Sequence, residues 1–289
     1  MVAAEYYKIA NHVLRIEKKS LKRVLGFSSF FVPEAENQSQ SPILEIVTDD
    51  SLLDRMDKPF RSSAYMDTLT ELGIKDGTYI YRYSESGVTQ VLAEIRQENG
   101  LFRAAVKGMD TVRPYNFGLA LWMIFGIAAV HHRTVSVHSS TIVYEGRAVM
   151  FLGESGTGKS TQTRLWTQNV AGAEILNDDS PFVNTERGTL VYGSPWSGKA
   201  NYYRNEHYPI AAIVRLRQAP RNEIRRLSRL EAIGALLPSC TPAFAYDGHL
   251  SSLVHGIVSD VLSETPVYML DCLPDAAAVR LTFDTVFGR

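Results

Sequence analysis

Apolar and polar positions change rhythm part-way along this chain. In the first hundred or so residues the rhythm is short, as in strands. Residues 11–17 alternate loosely, and residues 43–47 form an apolar run after Ser41-Pro42. Residues 78–83 follow an Asp76-Gly77 turn, and residues 90–95 and 101–106 flank Glu98-Asn99-Gly100. Asn-Gly between two strand-like runs predicts a hairpin, because both residues accept the positive φ of a tight turn. The polar stretch 34–41 reads as a loop. Near Pro114 the pattern changes, and residues 117–130 are apolar without interruption. A helix over 115–131, buried on all sides, is expected there. The run is shorter than the about 20 residues a bilayer span needs, so no membrane segment is expected.

Beyond this helix the two rhythms alternate. A strand-turn-strand is predicted over 140–152, with Glu145-Gly146 as its turn, followed by a helix over 159–168. Short strands are expected at 173–176, 210–216 and 266–270, and helical spacing at 227–237, 250–262 and 275–287. The order predicts an α/β domain over residues 114–289, preceded by a smaller β-rich domain over residues 1–113. No internal repeat is visible.

Composition narrows the function classes. A chain of 289 residues with 45% hydrophobic and 21% charged residues can bury a sizeable core, and its length fits two unequal domains. The formal net charge of −1 supplies no basic field, so no nucleic-acid partner is expected. The basic cluster Lys18, Lys19, Lys22 and Arg23 reads as solvated surface. Cys240 and Cys272 are too isolated for a zinc site and read as buried, reduced thiols. No signal-peptide pattern opens the chain, which gives a cytoplasmic expectation.

The sharpest chemical signal is Gly153-Glu154-Ser155-Gly156-Thr157-Gly158-Lys159-Ser160, a G-x-x-x-x-G-K-[ST] loop. Its glycines let consecutive backbone N–H groups turn toward phosphate oxygens, and the helix that follows adds its positive end. Lys159 can reach the terminal phosphates, and Ser160 offers a hydroxyl to Mg²⁺. The apolar run 148–152 before the loop and the helix after it supply the strand-loop-helix context the motif requires. A nucleoside triphosphate, ATP with Mg²⁺, is the expected ligand, held by residues 153–160 and Thr161.

Asn177-Asp178-Asp179 follows a short apolar strand. Two adjacent carboxylates at a strand end can divide the work of holding Mg²⁺ and accepting a proton from an attacking hydroxyl. Alone, the pair could equally form a turn or a helix cap with Ser180-Pro181. With the P-loop it reads as functional: Asp178 is assigned as base and Asp179, with Ser160, as the metal-associated carboxylate, with the roles open to exchange. His138 precedes the strand that leads into the P-loop hairpin, so its end returns beside the loop.

Together these residues resemble the HPr kinase/phosphorylase family of the phosphoenolpyruvate carboxykinase-like P-loop superfamily. His138-Ser139 opens the strand pair 15 residues before Gly153. The loop has the G-[ED]-S-G-x-G-K-S form, and Asp178-Asp179 follows closely behind the P-loop helix. Tyr192-Gly193-Ser194-Pro195-Trp196-Ser197-Gly198-Lys199 resembles the Gly-[Ser/Thr]-Pro-Trp element of short, HPr-kinase-like serine kinases. The matched region covers roughly residues 137–216. The resemblance implies a phosphoenolpyruvate carboxykinase-like kinase domain that transfers the γ-phosphoryl group of ATP to a hydroxyl, a serine above all, of a protein, peptide or small molecule. It implies His138, Lys159, Asp178 and Arg204 as catalytic residues, and it leaves homo-oligomer assembly open. Two alternatives remain at this point: a nucleotide-dependent binding switch without transfer, and a small carboxykinase-like enzyme. Pro195-Trp196 is read either as an apolar wall beside the phosphates or as a core-packed turn. Arg215, Arg217, Arg221, Arg225, Arg226 and Arg229 are read mainly as a solvated edge and helix face, with phosphate or an acidic surface as the other reading.

Overall fold

The computed structural model describes residues 4–17, 21–36, 40–198 and 200–288. Lys18, Lys19 and Lys199 lie outside the described residues. The protein is a mixed α/β protein with two large mixed β-sheets. It divides into two compact units, one of Met1–His132 with Ala243–Ser251, the other of Arg133–Pro242 with Ser252–Arg289.

The first unit carries strands β1 (Ala4–Ile9), β2 (His12–Glu17), β3 (Phe31–Val32), β4 (Leu44–Thr48), β5 (Arg61–Tyr65), β6 (Thr68–Lys75), β7 (Thr78–Glu85), β8 (Val88–Glu98) and β9 (Leu101–Lys107). They form one sheet in the order β3-β1-β2-β4-β9-β8-β7-β6-β5. The β2–β4 and β4–β9 pairs are parallel and the remainder antiparallel. The predicted Asn99-Gly100 and Asp76-Gly77 turns both have two consecutive positive φ values, as two-residue hairpins require. Ser86-Gly87 forms a third such turn, which the sequence reading passes over.

The apolar run is helix α1 (Pro114–Val130), with proline in its first turn and apolar residues buried around its circumference. It belongs to the first unit, whereas the sequence reading starts the second domain at residue 114. Phe244 of the returning Ala243–Ser251 segment sits 3.4 Å from where a Cβ on Gly126 would stand, so a small residue there lets the ring approach the helix. No helix among the described residues is long and apolar enough to cross a membrane.

The second unit is built from β10 (Thr134–Ser136), β11 (Ser139–Tyr144), β12 (Arg147–Leu152), α2 (Lys159–Asn169), β13 (Glu174–Asn177), β14 (Phe182–Asn184), β15 (Leu190–Tyr192), β16 (His207–Gln218), β17 (Glu223–Arg226), α3 (Arg229–Leu236), α4 (Gly248–Glu264), β18 (Val267–Cys272) and α5 (Ala276–Phe287). Helix α4 begins in the segment assigned to the first unit. The sheet order is β10-β14-β15-β16-β12-β11-β13, with β18 also on β16 and β17 on β18. Strand β16 changes partner along its length: residues 207–209 pair antiparallel with β15, residues 210–215 parallel with β12 and residues 213–218 parallel with β18. Helices α2 and α5 share one buried cluster. Trp166 of α2 is fully buried, with its ring centroid 6.2 Å from that of Phe151 on β12 and 5.9 Å from that of Phe283 on α5. Burying an aromatic ring of this size stabilises by about 1.5–3 kcal/mol, which fixes α2 against the sheet behind the loop it follows.

Candidate functional site

The hairpin β11–β12 runs straight into the glycine loop, and the loop opens α2. Glu145 and Gly146, both at positive φ, turn the hairpin, so Ser139 pairs with Leu152 and the start of β11 lies beside the end of β12. The loop then bends in ways only glycine permits. Gly153 has φ 155°, and a Cβ there would collide with the Thr157 hydroxyl. Gly158 has φ 103° and stands at the N-cap of α2 without a side chain. Thr157 closes the loop through its N–H (3.2 Å) and hydroxyl (2.8 Å), both donating to the Glu154 carbonyl. The α2 N-terminus carries no side-chain cap and no acidic residue in its first turn. Its leading N–H groups have no intrahelical acceptors, so this is an electropositive end open to an anion. Ser160 is exposed and Thr161 half-buried on that first turn.

Lys159 folds back into the loop. Its ammonium donates to His138 Nε2 at 2.9 Å, to the Gly153 carbonyl at 2.7 Å and to the Glu154 carbonyl at 3.3 Å. Three donors meet three acceptors. An ammonium can only donate, so His138 Nε2 must accept, which puts the ring proton on Nδ1. Nδ1 faces Asp179 Oδ1 at 3.4 Å, and Ser180 Oγ donates to Asp179 Oδ2 at 2.7 Å. The result is a chain Lys159–His138–Asp179–Ser180. Burial lowers the lysine pKa below its usual range; the Asp179 charge opposes this and the Arg215 charge adds to it. For Asp179 burial acts upward, yet the bonds from His138 and Ser180 and the Lys159 charge outweigh it, and the carboxyl lies below its usual range.

The acidic turn is held from beneath by Asn177, which is fully buried. Its Oδ1 accepts from the N–H groups of Asp179 (3.0 Å) and Ser180 (2.9 Å). Its Nδ2 points at the carbonyls of Ser194, Trp196 and Tyr202, at 3.2–3.4 Å. One side chain therefore ties the end of β13 to the 194–202 segment. Asp178 turns to that same segment. Its carboxylate accepts from the Ser197 hydroxyl, from the Gly198 N–H at 2.7 Å and from the Ala200 N–H at 3.3 Å. Adjacent in sequence, Asp178 and Asp179 thus do different things: the first anchors a loop, the second faces His138.

No protein-family model matches this chain, and no curated protein matches it.

Of the residues singled out in the sequence, the fold gathers His138, Lys159, Asp179 and the 153–160 loop into one place. Arg204 is engaged elsewhere: it donates to Glu206 (2.6 Å) and Glu174 (2.6 Å), and both carboxylates neutralise it. Trp196 is 8% exposed and packs on Phe182 at 5.7 Å, which makes Pro195-Trp196 a core-packed turn. Two residues of β16 reach the loop instead. Gln218 donates to the Gly156 carbonyl at 3.0 Å, and Arg215 Nη2 lies 3.9 Å from Glu154 Oε1. The role of Asn177 and the placement of Gln218 were not visible in the sequence. Their one signal was position at a strand end, where α/β sheets collect their sites.

The chemistry of the donor set suits a magnesium-bound phosphate chain: an uncapped helix start, a serine hydroxyl on its first turn and an ionised carboxylate nearby. Among the described residues no group of three His, Cys, Asp or Glu side chains stands ready to hold a metal by itself. Mg²⁺, which keeps several waters and takes few protein ligands, does not need one.

Proposed function

We propose that this protein is an ATP- and magnesium-dependent kinase of the HPr-kinase-like type, which transfers the γ-phosphoryl group to a hydroxyl, above all a serine, of a protein, peptide or small molecule. The observation that carries the proposal is the contact of Lys159 with His138 at 2.9 Å, in a loop of phosphate-binding form, with Asp179 behind the histidine.

In this reading the loop N–H groups and the α2 N-terminus hold the phosphates. Ser160 directly and Asp179 through a bound water would hold Mg²⁺, which would neutralise phosphate charge during transfer. Lys159 exchanges its two carbonyl acceptors and His138 for phosphate oxygens. That exchange leaves His138 Nε2 with a free lone pair, while Asp179 keeps the proton on Nδ1. The acceptor hydroxyl donates its proton to Nε2, and Asp179 stabilises the imidazolium that forms. The base assignment therefore moves from Asp178 to the His138–Asp179 pair, and Asp178 serves through the loop it anchors.

The test is incubation of the purified protein with Mg²⁺, γ-labelled ATP and a cell extract, beside Lys159→Met. A labelled serine product made by the wild type alone is the expected result. Slow hydrolysis with no labelled acceptor would sink the kinase reading and leave a nucleotide-dependent switch.

A further inference from the structure

The loop has a second cation besides Lys159, and the fold holds it in place with unusual care. Arg215 lies on β16 in register with Leu152, the residue immediately before Gly153. The pairing is parallel, so both strands deliver their C-terminal ends to the same edge of the sheet. The Arg215 side chain is 19% exposed. Its Nη1 donates to the Ala235 carbonyl at 3.2 Å and lies 3.5 Å from the Ser239 hydroxyl. Ser239 also takes the His138 N–H on its own carbonyl at 2.7 Å, so one short segment after α3 orients both the histidine and the arginine.

What Arg215 lacks is a firm counter-charge. Among the described residues its one ion pair is with Glu154, at 3.9 Å, on a side chain 85% exposed. A pair so long and so wet contributes little. Guanidinium groups withdrawn from water normally meet a carboxylate or a phosphate in bidentate form. Two arginines near it do: Arg204 has Glu174 and Glu206, and Arg217, two residues along β16, has both oxygens of Asp271. Arg215 instead has two neutral acceptors at its back and the glycine loop in front. Its charge is also felt at Lys159, where it opposes protonation.

We propose that Arg215 is a second phosphate-binding cation of this site, which meets the nucleotide's phosphate chain from the β16 side. This rests on the kinase reading insofar as that reading supplies the triphosphate. A polyphosphate neutralises two cations that otherwise repel, so the site favours ligands with several linked phosphates over a monophosphate. Ser239 is the positioning residue that keeps the guanidinium turned toward the loop.

The experiment is calorimetric titration of wild type, Arg215→Met and Arg215→Gln with Mg·ATP, inorganic tripolyphosphate and AMP, beside thermal melting without ligand. Arg215→Met is expected to weaken Mg·ATP and tripolyphosphate binding about 10–100-fold. Its ligand-free melting temperature should change little, since the lost bond to the Ala235 carbonyl is set against the removal of one of two neighbouring cations. A structural role alone would lower that melting temperature. Where the methionine variant does not fold, Arg215→Gln, which keeps an N–H for the Ala235 carbonyl, gives the same reading. Wild-type binding with unchanged affinity in the folded variant overturns the Arg215 assignment and leaves the kinase reading standing. Absence of binding to the wild type overturns both.

Discussion

His138 Nε2 accepts a hydrogen bond from Lys159 Nζ at 2.9 Å, and this fixes which ring nitrogen carries the proton. If the histidine takes the proton of the acceptor hydroxyl, His138→Ala should lower kcat about 10²–10⁴-fold while ATP affinity changes only a few-fold. Asp179→Asn should follow the same pattern, because an amide cannot hold the imidazolium. Single-turnover phosphotransfer with separately measured ATP affinity distinguishes the two parameters. Near wild-type turnover in His138→Ala would return the base to a carboxylate.

Asp178 predicts a different phenotype. With its acceptors removed in Asp178→Ala, the N–H groups of Gly198 and Ala200 lose their bonds. Their amide hydrogen exchange should accelerate at least ten-fold, while exchange in α2 stays unchanged. Equal protection in wild type and variant would show that the loop is held by other means.

Asn177 is the residue whose loss should cost most in stability. Asn177→Ala strands the N–H donors of Asp179 and Ser180 and the carbonyls of Ser194, Trp196 and Tyr202. A loss of about 2–4 kcal/mol is expected from urea denaturation, with the unfolding slope unchanged. A loss below about 0.5 kcal/mol would mean that water replaces the amide at no cost.

These three residues also show how far the sequence could be read. The Gly-rich loop was legible because its chemistry is local: spacing alone defines strand, turn and helix start. The Asn99-Gly100 and Asp76-Gly77 hairpins were legible for the same reason, and both have the positive φ values expected. Strand β1 (Ala4–Ile9) and the polar edge strand β17 (Glu223–Arg226) carried no turn signal and little alternation. Asn177 is legible only as the residue before an acidic pair, since its partners at 194–202 come near it only when the chain folds. Arg215 was one arginine among six, because nothing local reveals that β16 lies parallel beside β12. Arg204, which the resemblance implies as catalytic, is paired with Glu174 and Glu206 through contacts that spacing does not encode.

The first unit should have its own acid sensitivity. His12 is 4% exposed, and its ring lies 5.6 Å from that of His132. Burial first, and the neighbouring His132 second, push its pKa down from 6.5 to about 4. Between those two values the unfolded chain binds a proton that the folded chain refuses, so stability falls as pH drops through the interval. The full effect is about 3 kcal/mol for this one group. Urea midpoints at about pH 7 and pH 4.5 should differ less in His12→Gln than in wild type. Identical pH dependence in the two proteins would remove His12 as the cause.

Lys159 acts with the same sign as His12 but at the alkaline end of the pH axis. Its folded pKa lies below the unfolded value, so the unfolded chain holds more protons in the window just under the usual lysine range. Ligand-free stability should therefore rise with pH there, and Lys159→Met should abolish that rise. A rise of equal size in the variant assigns it to another lysine.

The path of the chain sets an order on events during synthesis. The first unit includes Ala243–Ser251 as well as Met1–His132. Domains commonly fold as they leave the ribosome, the earliest first. Here the earliest unit cannot be completed until residue 251 of 289 has emerged, by which time nearly all of the second unit's strands exist as well. Until then, helix α1 lacks the contact that Phe244 makes beside Gly126. A nascent chain stalled at residue 240 should bind chaperones through α1, and release at residue 251 should end that binding.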